Sequence, residues 1–185
     1  MLKYARRLAL CAPLLALLAI VIGLPASVAF GDEDSRSFST RFLGLNEVPP
    51  NITDATASLR LTIDGSGNSA TITYTFTFSN LRAPVTQAHI HFAPTKVSGG
   101  IMVFLCGTAA SPGPAGTPTC VSGTTITRTL KASDVVGPTA QGIAPGVDMG
   151  SVVQAIRAGD AYGNVHSTMF PGGEARGQLV RSDRD

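Results

Sequence analysis

Three histidines are the whole imidazole inventory of this 185-residue chain, and they fall in two short segments, Gln87-Ala88-His89-Ile90-His91-Phe92 and Tyr162-Gly163-Asn164-Val165-His166. In an extended segment, side chains two apart share a face. Gln87, His89 and His91 therefore stand on one side of their strand, with Ala88, Ile90 and Phe92 on the other. The same parity sets Tyr162, Asn164 and His166 against Ala161, Gly163 and Val165, and sets Glu174, Arg176 and Gln178 against Ala175, Gly177 and Leu179. Two imidazoles from one strand and a third from another form a ligand set used by zinc and copper. One candidate chemistry is thus binding of copper or zinc, with redox activity open to copper, by His89, His91 and His166, with Glu174 as a candidate fourth ligand. The competing reading needs no cofactor: the rings and amides hydrogen-bond across neighbouring strands and lock the register of an outward polar sheet face. His-x-His alone is a weak motif, so the residues by themselves favour the hydrogen-bonded network.

Other chemistry finds little support. There is no Gly-x-Ser-x-Gly, no His-Glu-x-x-His and no Walker-type glycine loop, which argues against the commonest hydrolase, metalloprotease and nucleotide-binding schemes. Glu174 and Arg176 share a parity and are expected to form an ion pair or, less simply, a ligand-recognising pair. Asn46 and Glu47 precede Pro49-Pro50, and proline cannot donate to a central ladder, so the first strand should end there.

The elements that must position these residues are strands. From Ser69 to Asn80 the apolar residues Ala70, Ile72, Tyr74, Phe76 and Phe78 alternate with Thr71, Thr73, Thr75 and Thr77. Upstream, Ala55, Ala57, Leu59, Leu61 and Ile63 alternate in the same way, and Asp64-Gly65-Ser66-Gly67-Asn68 separates the two runs. This predicts a hairpin of half-buried strands. Further strands are expected over Phe38–Leu45, Thr86–Phe92, Ile101–Leu105, Thr124–Leu130, Ala161–Ser167 and Glu174–Val180. One segment breaks the period of two: Met149, Val152, Val153 and Ile156 fall at helical spacing, with Asp148 placed as N-cap and Gly159 just past the end. The fold class expected is all-β, an antiparallel Greek-key sandwich or barrel of about eight strands with one short helix.

At the N-terminus, Lys3, Arg6 and Arg7 precede an apolar run from Leu8 to Leu24 and small residues at Ser27 and Ala29. This is the layout of a secretory signal peptide over residues 1–29. Residues 30–37 read as a disordered lead-in, 38–180 as one domain and 181–185 as a disordered tail. Processing would remove three of the fourteen Lys and Arg residues and leave eleven against twelve Asp and Glu. A nearly neutral domain without a basic cluster gives no footprint for nucleic acid, and no second run is long enough to span a membrane. Cys106 and Cys120 would remain, an even pair expected to close a disulfide in an oxidising compartment. The expected location is secreted, periplasmic or cell-surface.

Three ordered motifs resemble one family. Asn46-Glu47-Val48-Pro49-Pro50, then Ala88-His89-Ile90-His91, then Tyr162-x-Asn164-Val165-His166 running into Phe170-Pro171-Gly172-Gly173-Glu174-x-Arg176-Gly177-Gln178-Leu179 look like the chordin-type (CHRD) domain over about residues 38–180. Gly163, Ser167 and Ala175 depart from it mildly, each standing where a different side chain is usual. The resemblance implies a β-sandwich module of extracellular proteins with no catalytic activity generally attached, whose motif residues include Asn46, Glu47, Pro49, Tyr162, Asn164, Glu174 and Arg176. It implies a binding or structural role, with an extracellular protein or surface ligand as the partner and no cofactor required. The His-x-His strand also resembles copper/zinc superoxide dismutase, but a two-metal site of that kind needs more than three imidazoles.

Overall fold

A computed structural model of the chain describes residues 36–182. The expected signal peptide (1–29), most of the lead-in and the last three residues of the tail lie outside the described residues. Nine strands form two antiparallel sheets: β1 Ser37–Phe42, β2 Thr56–Asp64, β3 Thr71–Ser79, β4 Val85–Phe92, β5 Gly100–Gly107, β6 Ile126–Leu130, β7 Ala161–Ser167, β8 Ala175–Gln178 and β9 Val180–Arg181. The first sheet runs β6-β3-β2-β1-β9 and the second β5-β4-β7-β8. Two separate sheets make the fold a sandwich. Along one margin a single bridge joins them, where Leu43 and Arg176 exchange both backbone hydrogen bonds, at 3.0 and 3.2 Å.

Period-two patterning becomes a core directly. Leu59, Leu61 and Ile63 of β2, and Ile72, Tyr74, Phe76 and Phe78 of β3, are buried against Ala88 and Ile90 of β4 and Val165 of β7. On the opposite face of the first sheet the hydroxyls pair across strands, Thr73 with Thr129 at 2.9 Å and Thr77 with Thr125 at 3.3 Å. The helix α1, Met149–Ala158, buries Met149, Val152, Val153 and Ile156. Asp148 accepts from the Ser151 N–H at 3.1 Å, and Gly159 adopts φ 81°, the left-handed ending that glycine tolerates best. The disulfide joins Cys106 to Cys120 and pins the Gly/Pro-rich segment between them to the end of β5.

Three details depart from expectation. Ser37 and Arg181, assigned to the polar flanks, lie in strands, and the Ser182 N–H donates to the Ser37 carbonyl at 3.0 Å. The edge pair β1–β9 captures these residues. The stretch expected as one strand over Glu174–Val180 divides at Leu179, which buries its side chain and donates its N–H to Ala161 while Val180 joins the other sheet.

Gly163 faces the core, where a Cβ would fall 2.3 Å from Cζ of Phe42 and 3.3 Å from Cδ2 of Leu59. The smallness of this residue is the complement of a large ring on the opposite sheet. Gly163→Val should lower stability by about 1–3 kcal/mol through overpacking, and Phe42→Leu in the same chain should recover part of that loss. Urea unfolding of the two variants measures it; an unshifted midpoint for Gly163→Val would show that the ring yields without cost.

Candidate metal centre

The second sheet brings the three polar stripes side by side. In the β4–β7 register His89 lies opposite Asn164, His91 opposite Tyr162 and Gln87 opposite His166; in the β7–β8 register Asn164 lies opposite Arg176 and Tyr162 opposite Gln178. Rows of His89, Asn164 and Arg176, and of His91, Tyr162 and Gln178, therefore cross three strands. Register shifts against β5 flank His89, between Ala88 and His89 and between Ile90 and His91. Such bulges re-aim side chains next to functional sites.

The stripes face away from the sandwich core, yet they are not in solvent. His89 is fully buried, and His91, His166, Asn164, Tyr162 and Arg176 are each no more than 7 % exposed. Segments outside the strands close over them. Arg176 donates through one amino group to the carbonyls of Pro94 (3.2 Å) and Val97 (2.7 Å), and Gln178 donates to Ala93 (3.0 Å), so the two side chains hold the β4–β5 connection against the sheet. The polar stripes expected to face outward do face away from the core, but they are covered: parity chose the face, and the loops buried it.

One ring nitrogen from each of His89, His91 and His166 lies within 4.8 Å of the other two. Their hydrogen bonds define the tautomers. His91 donates from Nδ1 to the Gly99 carbonyl at 3.0 Å, and His166 donates from Nδ1 to the Pro171 carbonyl at 2.9 Å. Nε2 of both rings then carries a lone pair and is an acceptor. His89 donates from Nδ1 to His166 Nε2 at 3.2 Å, which leaves its own Nε2 an acceptor as well. Nε2 of His89 and Nε2 of His91 are buried with no hydrogen-bond partner among the described residues. His166 Nε2 also lies 3.0 Å from Oδ1 of Asn164. Two lone pairs at that distance repel, and either a turned amide presenting NH₂ or a cation between them relieves it.

The surroundings keep these rings uncharged. Burial lowers the His89 pKa to about 2, reinforced by the neighbouring His166 and His91. Burial likewise lowers His91 to about 4 against the bond to Gly99, and lowers His166 against the bond to Pro171. Aromatic walls complete the enclosure: Tyr162 stacks on His91 with centroids 4.8 Å apart, and the edge of Phe104 meets His89 at 4.4 Å. The Arg176 guanidinium sits 3.3 Å above the other ring of that stack, Tyr162.

Glu174 does not join the imidazoles. Its Oε1 accepts from the Thr53 hydroxyl and the Arg82 N–H, both at 2.7 Å, so it fastens two connections at the far end of its strand. The expected Glu174–Arg176 pair does not form either, because Arg176 is turned to backbone carbonyls and Tyr162. The acid that reaches the centre is Glu47, buried just past the one-turn 3₁₀ helix Gly44–Asn46 that follows β1. Burial raises its pKa to about 7, against the lowering effects of Arg176, the Val48 N–H and the Asn164 side chain. Gly173, with φ 131°, passes so close that a Cβ there would fall 2.4 Å from Oε1 of Glu47. Parity could not place Glu47, since it lies in a loop; its position in the Asn46-to-Pro50 motif was the available signal. Asn46 itself sits in the 3₁₀ turn, and the Val48–Pro49 peptide is cis.

The CHRD domain family model matches residues 38–179, most of the chain, and the chain belongs to that family. No curated protein and no solved structure matches it. Membership points to a binding or structural module, a family without general catalytic activity. Among the described residues no helix is long and apolar enough to cross a membrane.

The buried groups fix the pH dependence of the metal-free protein. A folded imidazole with a lowered pKa contributes stability that is lost as pH falls below the unfolded value of 6.5, whereas the raised Glu47 contributes stability that is lost as pH rises from 4.5 through about 7. Around pH 5.5 the unfolded chain binds protons on His89 and His91 that the fold refuses, His166 adds in the same direction, and the fold keeps one carboxyl proton on Glu47. The net difference is about one to two protons, so stability should rise by about 1–3 kcal/mol per pH unit there. Urea midpoints measured from pH 4.5 to 7 check this, and Glu47→Gln should steepen the slope; a flat profile contradicts it.

Proposed function

From membership of the CHRD family and the three converging imidazoles, we propose that this protein is an exported binding module that holds one copper or zinc ion at His89, His91 and His166. The observation that carries the reading is the pair of buried, unpartnered lone pairs on Nε2 of His89 and His91 beside a third imidazole. A buried acceptor without a donor costs about 1–3 kcal/mol, and a cation removes that cost at both atoms. Backbone carbonyls hold Nδ1 of His91 and His166, an outer shell that fixes tautomer and ring direction for ligation through Nε2.

An ion about 2.0–2.1 Å from each nitrogen sets ligand nitrogens about 3.4 Å apart in tetrahedral geometry. The candidate ligand atoms lie within 4.8 Å of one another, so ring rotations would bring them to this spacing, and ligation by His166 Nε2 would replace the 3.2 Å bond it accepts from His89 Nδ1. Bound there, copper or zinc would act as the centre of the polar cluster. The chain itself supplies the neutral donors, orients them and excludes water. Export rests on the signal-like residues 1–29, and the Cys106–Cys120 disulfide fits an oxidising compartment.

A second reading has its own observation. Both nitrogens of His166 are already engaged, with Pro171 and with His89, so the trio also works as part of a hydrogen-bonded lock on the β4–β7 register. The two readings separate in one measurement. Untagged protein incubated with copper or zinc and desalted should retain one ion per chain. At a ligand concentration about 100 times Kd it should melt about 5–10 °C higher than the chelator-treated protein. His91→Phe should abolish both retention and shift. Retention near zero with no shift would leave only the register lock.

A further inference from the structure

We propose that the centre is selective for a monovalent ion, copper(I), and that Arg176 is the residue that disfavours divalent ions in it; this deepens, and rests on, the metal-site reading above. The donor set is three neutral imidazoles and contains no carboxylate. Glu174, the acid expected to supply one, stands outside the trio, with its Oε1 bonded to the Thr53 hydroxyl and the Arg82 N–H. A divalent ion would therefore keep its full double charge in a site closed to water.

The nearest formal charge makes that worse. Arg176 is 2 % exposed, and its hydrogen bonds run to the neutral carbonyls of Pro94 and Val97. Among the described residues the salt bridge formed is Arg128–Asp134, on another part of the fold, so no carboxylate within bridging distance cancels the guanidinium. Its charge lies over Tyr162, and Tyr162 lies flat on His91, with the ring planes 6° apart. Glu47 is the acid facing this region, and burial, opposed by Arg176, raises its pKa to about 7, so near neutral pH it offsets the guanidinium only in part.

Coordination number points the same way. Zinc completes a tetrahedron with a fourth ligand, a water in three-ligand sites. Here Phe104 packs against His89 and Tyr162 lies on His91, so aromatic rings occupy the space beside both, and the polar atom next to His166 Nε2 is Asn164 Oδ1. Copper(I), a d¹⁰ ion of single charge, is satisfied by three nitrogens in a plane.

Affinities for the two ions are measured on the full folded domain, copper(I) by competition with bicinchoninate under reductant and zinc by competition with a chromogenic chelator. The wild type should hold copper(I) more tightly than zinc. One unit of ion charge at about 10 Å from the guanidinium, at an effective dielectric of about 20, corresponds to roughly a tenfold change in affinity. Arg176→Met should narrow the copper(I)-to-zinc ratio by about that factor, and Arg176→Lys, which keeps the charge, should preserve it. Because Arg176 also holds the β4–β5 connection, the lysine variant and Gln178→Ala separate loss of charge from loss of that tether: only the methionine variant should change the ratio. Zinc held as tightly as copper(I), or a ratio indifferent to Arg176→Met, overturns this inference and leaves the metal site standing. Retention of neither ion overturns both.

Discussion

A polar sheet face sealed from water is the constraint around which this domain is organised. Three imidazoles, an amide, a phenol, a guanidinium and a carboxyl lie under the loops that cover β4, β7 and β8, and each must find a partner inside the protein or raise the free energy of the fold. Most of them do. Arg176 and Gln178 use the carbonyls of the β4–β5 connection, His91 uses Gly99, His166 uses Pro171, and Glu174 gathers Thr53 and the Arg82 N–H. These bonds run between segments distant in sequence, so the same interactions that satisfy the buried groups also fold the loops over them. What they leave over among these groups is Nε2 of His89 and of His91, together with one side-chain oxygen each on Glu47, Glu174 and Gln178.

The backbone explains why those groups meet. Antiparallel pairing of β4 with β7 and of β7 with β8 fixes which side chains stand in a row, and the irregular β4–β5 register turns the His-x-His strand locally. On the other side of the same strands the spacing is set by the core. Gly163 leaves room for Phe42, which lets β7 lie close to the first sheet at the position between Tyr162 and Asn164. A core contact on one face and the polar rows on the other are thus two consequences of a single strand placement.

How much of this was legible in the residues follows from which physics each feature obeys. Alternation is local, so the strands, their inward and outward faces, the capped helix and the merged polar stripes could all be read from the sequence. The hairpin of β2 and β3 was legible for the same reason, through its glycine-rich turn. Burial of the polar face was not, because it depends on connections such as residues 93–99 whose path is set by Arg176 and Gln178 across more than 75 residues of chain. Glu174 was assigned to the wrong neighbours because it precedes the paired residues of β8, where strand parity no longer dictates a direction. Glu47 was visible as a motif residue, yet its approach to Asn164 is a loop conformation that no periodicity encodes.

The depth of the site also separates roles that the same three ligands serve elsewhere. A catalytic metal keeps an open position for water or substrate, whereas a structural or storage site is closed by the protein. Here the positions around the rings are taken by Phe104, Tyr162 and Asn164, and the covering loops are tied down by hydrogen bonds to buried side chains. Exchange of an ion proposed to bind there would require those loops to lift, and lifting them would break the Arg176 and Gln178 bonds together. On that proposal, release would be coupled to local opening of the fold, as suits a module that retains what it binds, and the same walls that keep the imidazoles dry would disfavour chemistry on an exchanging substrate.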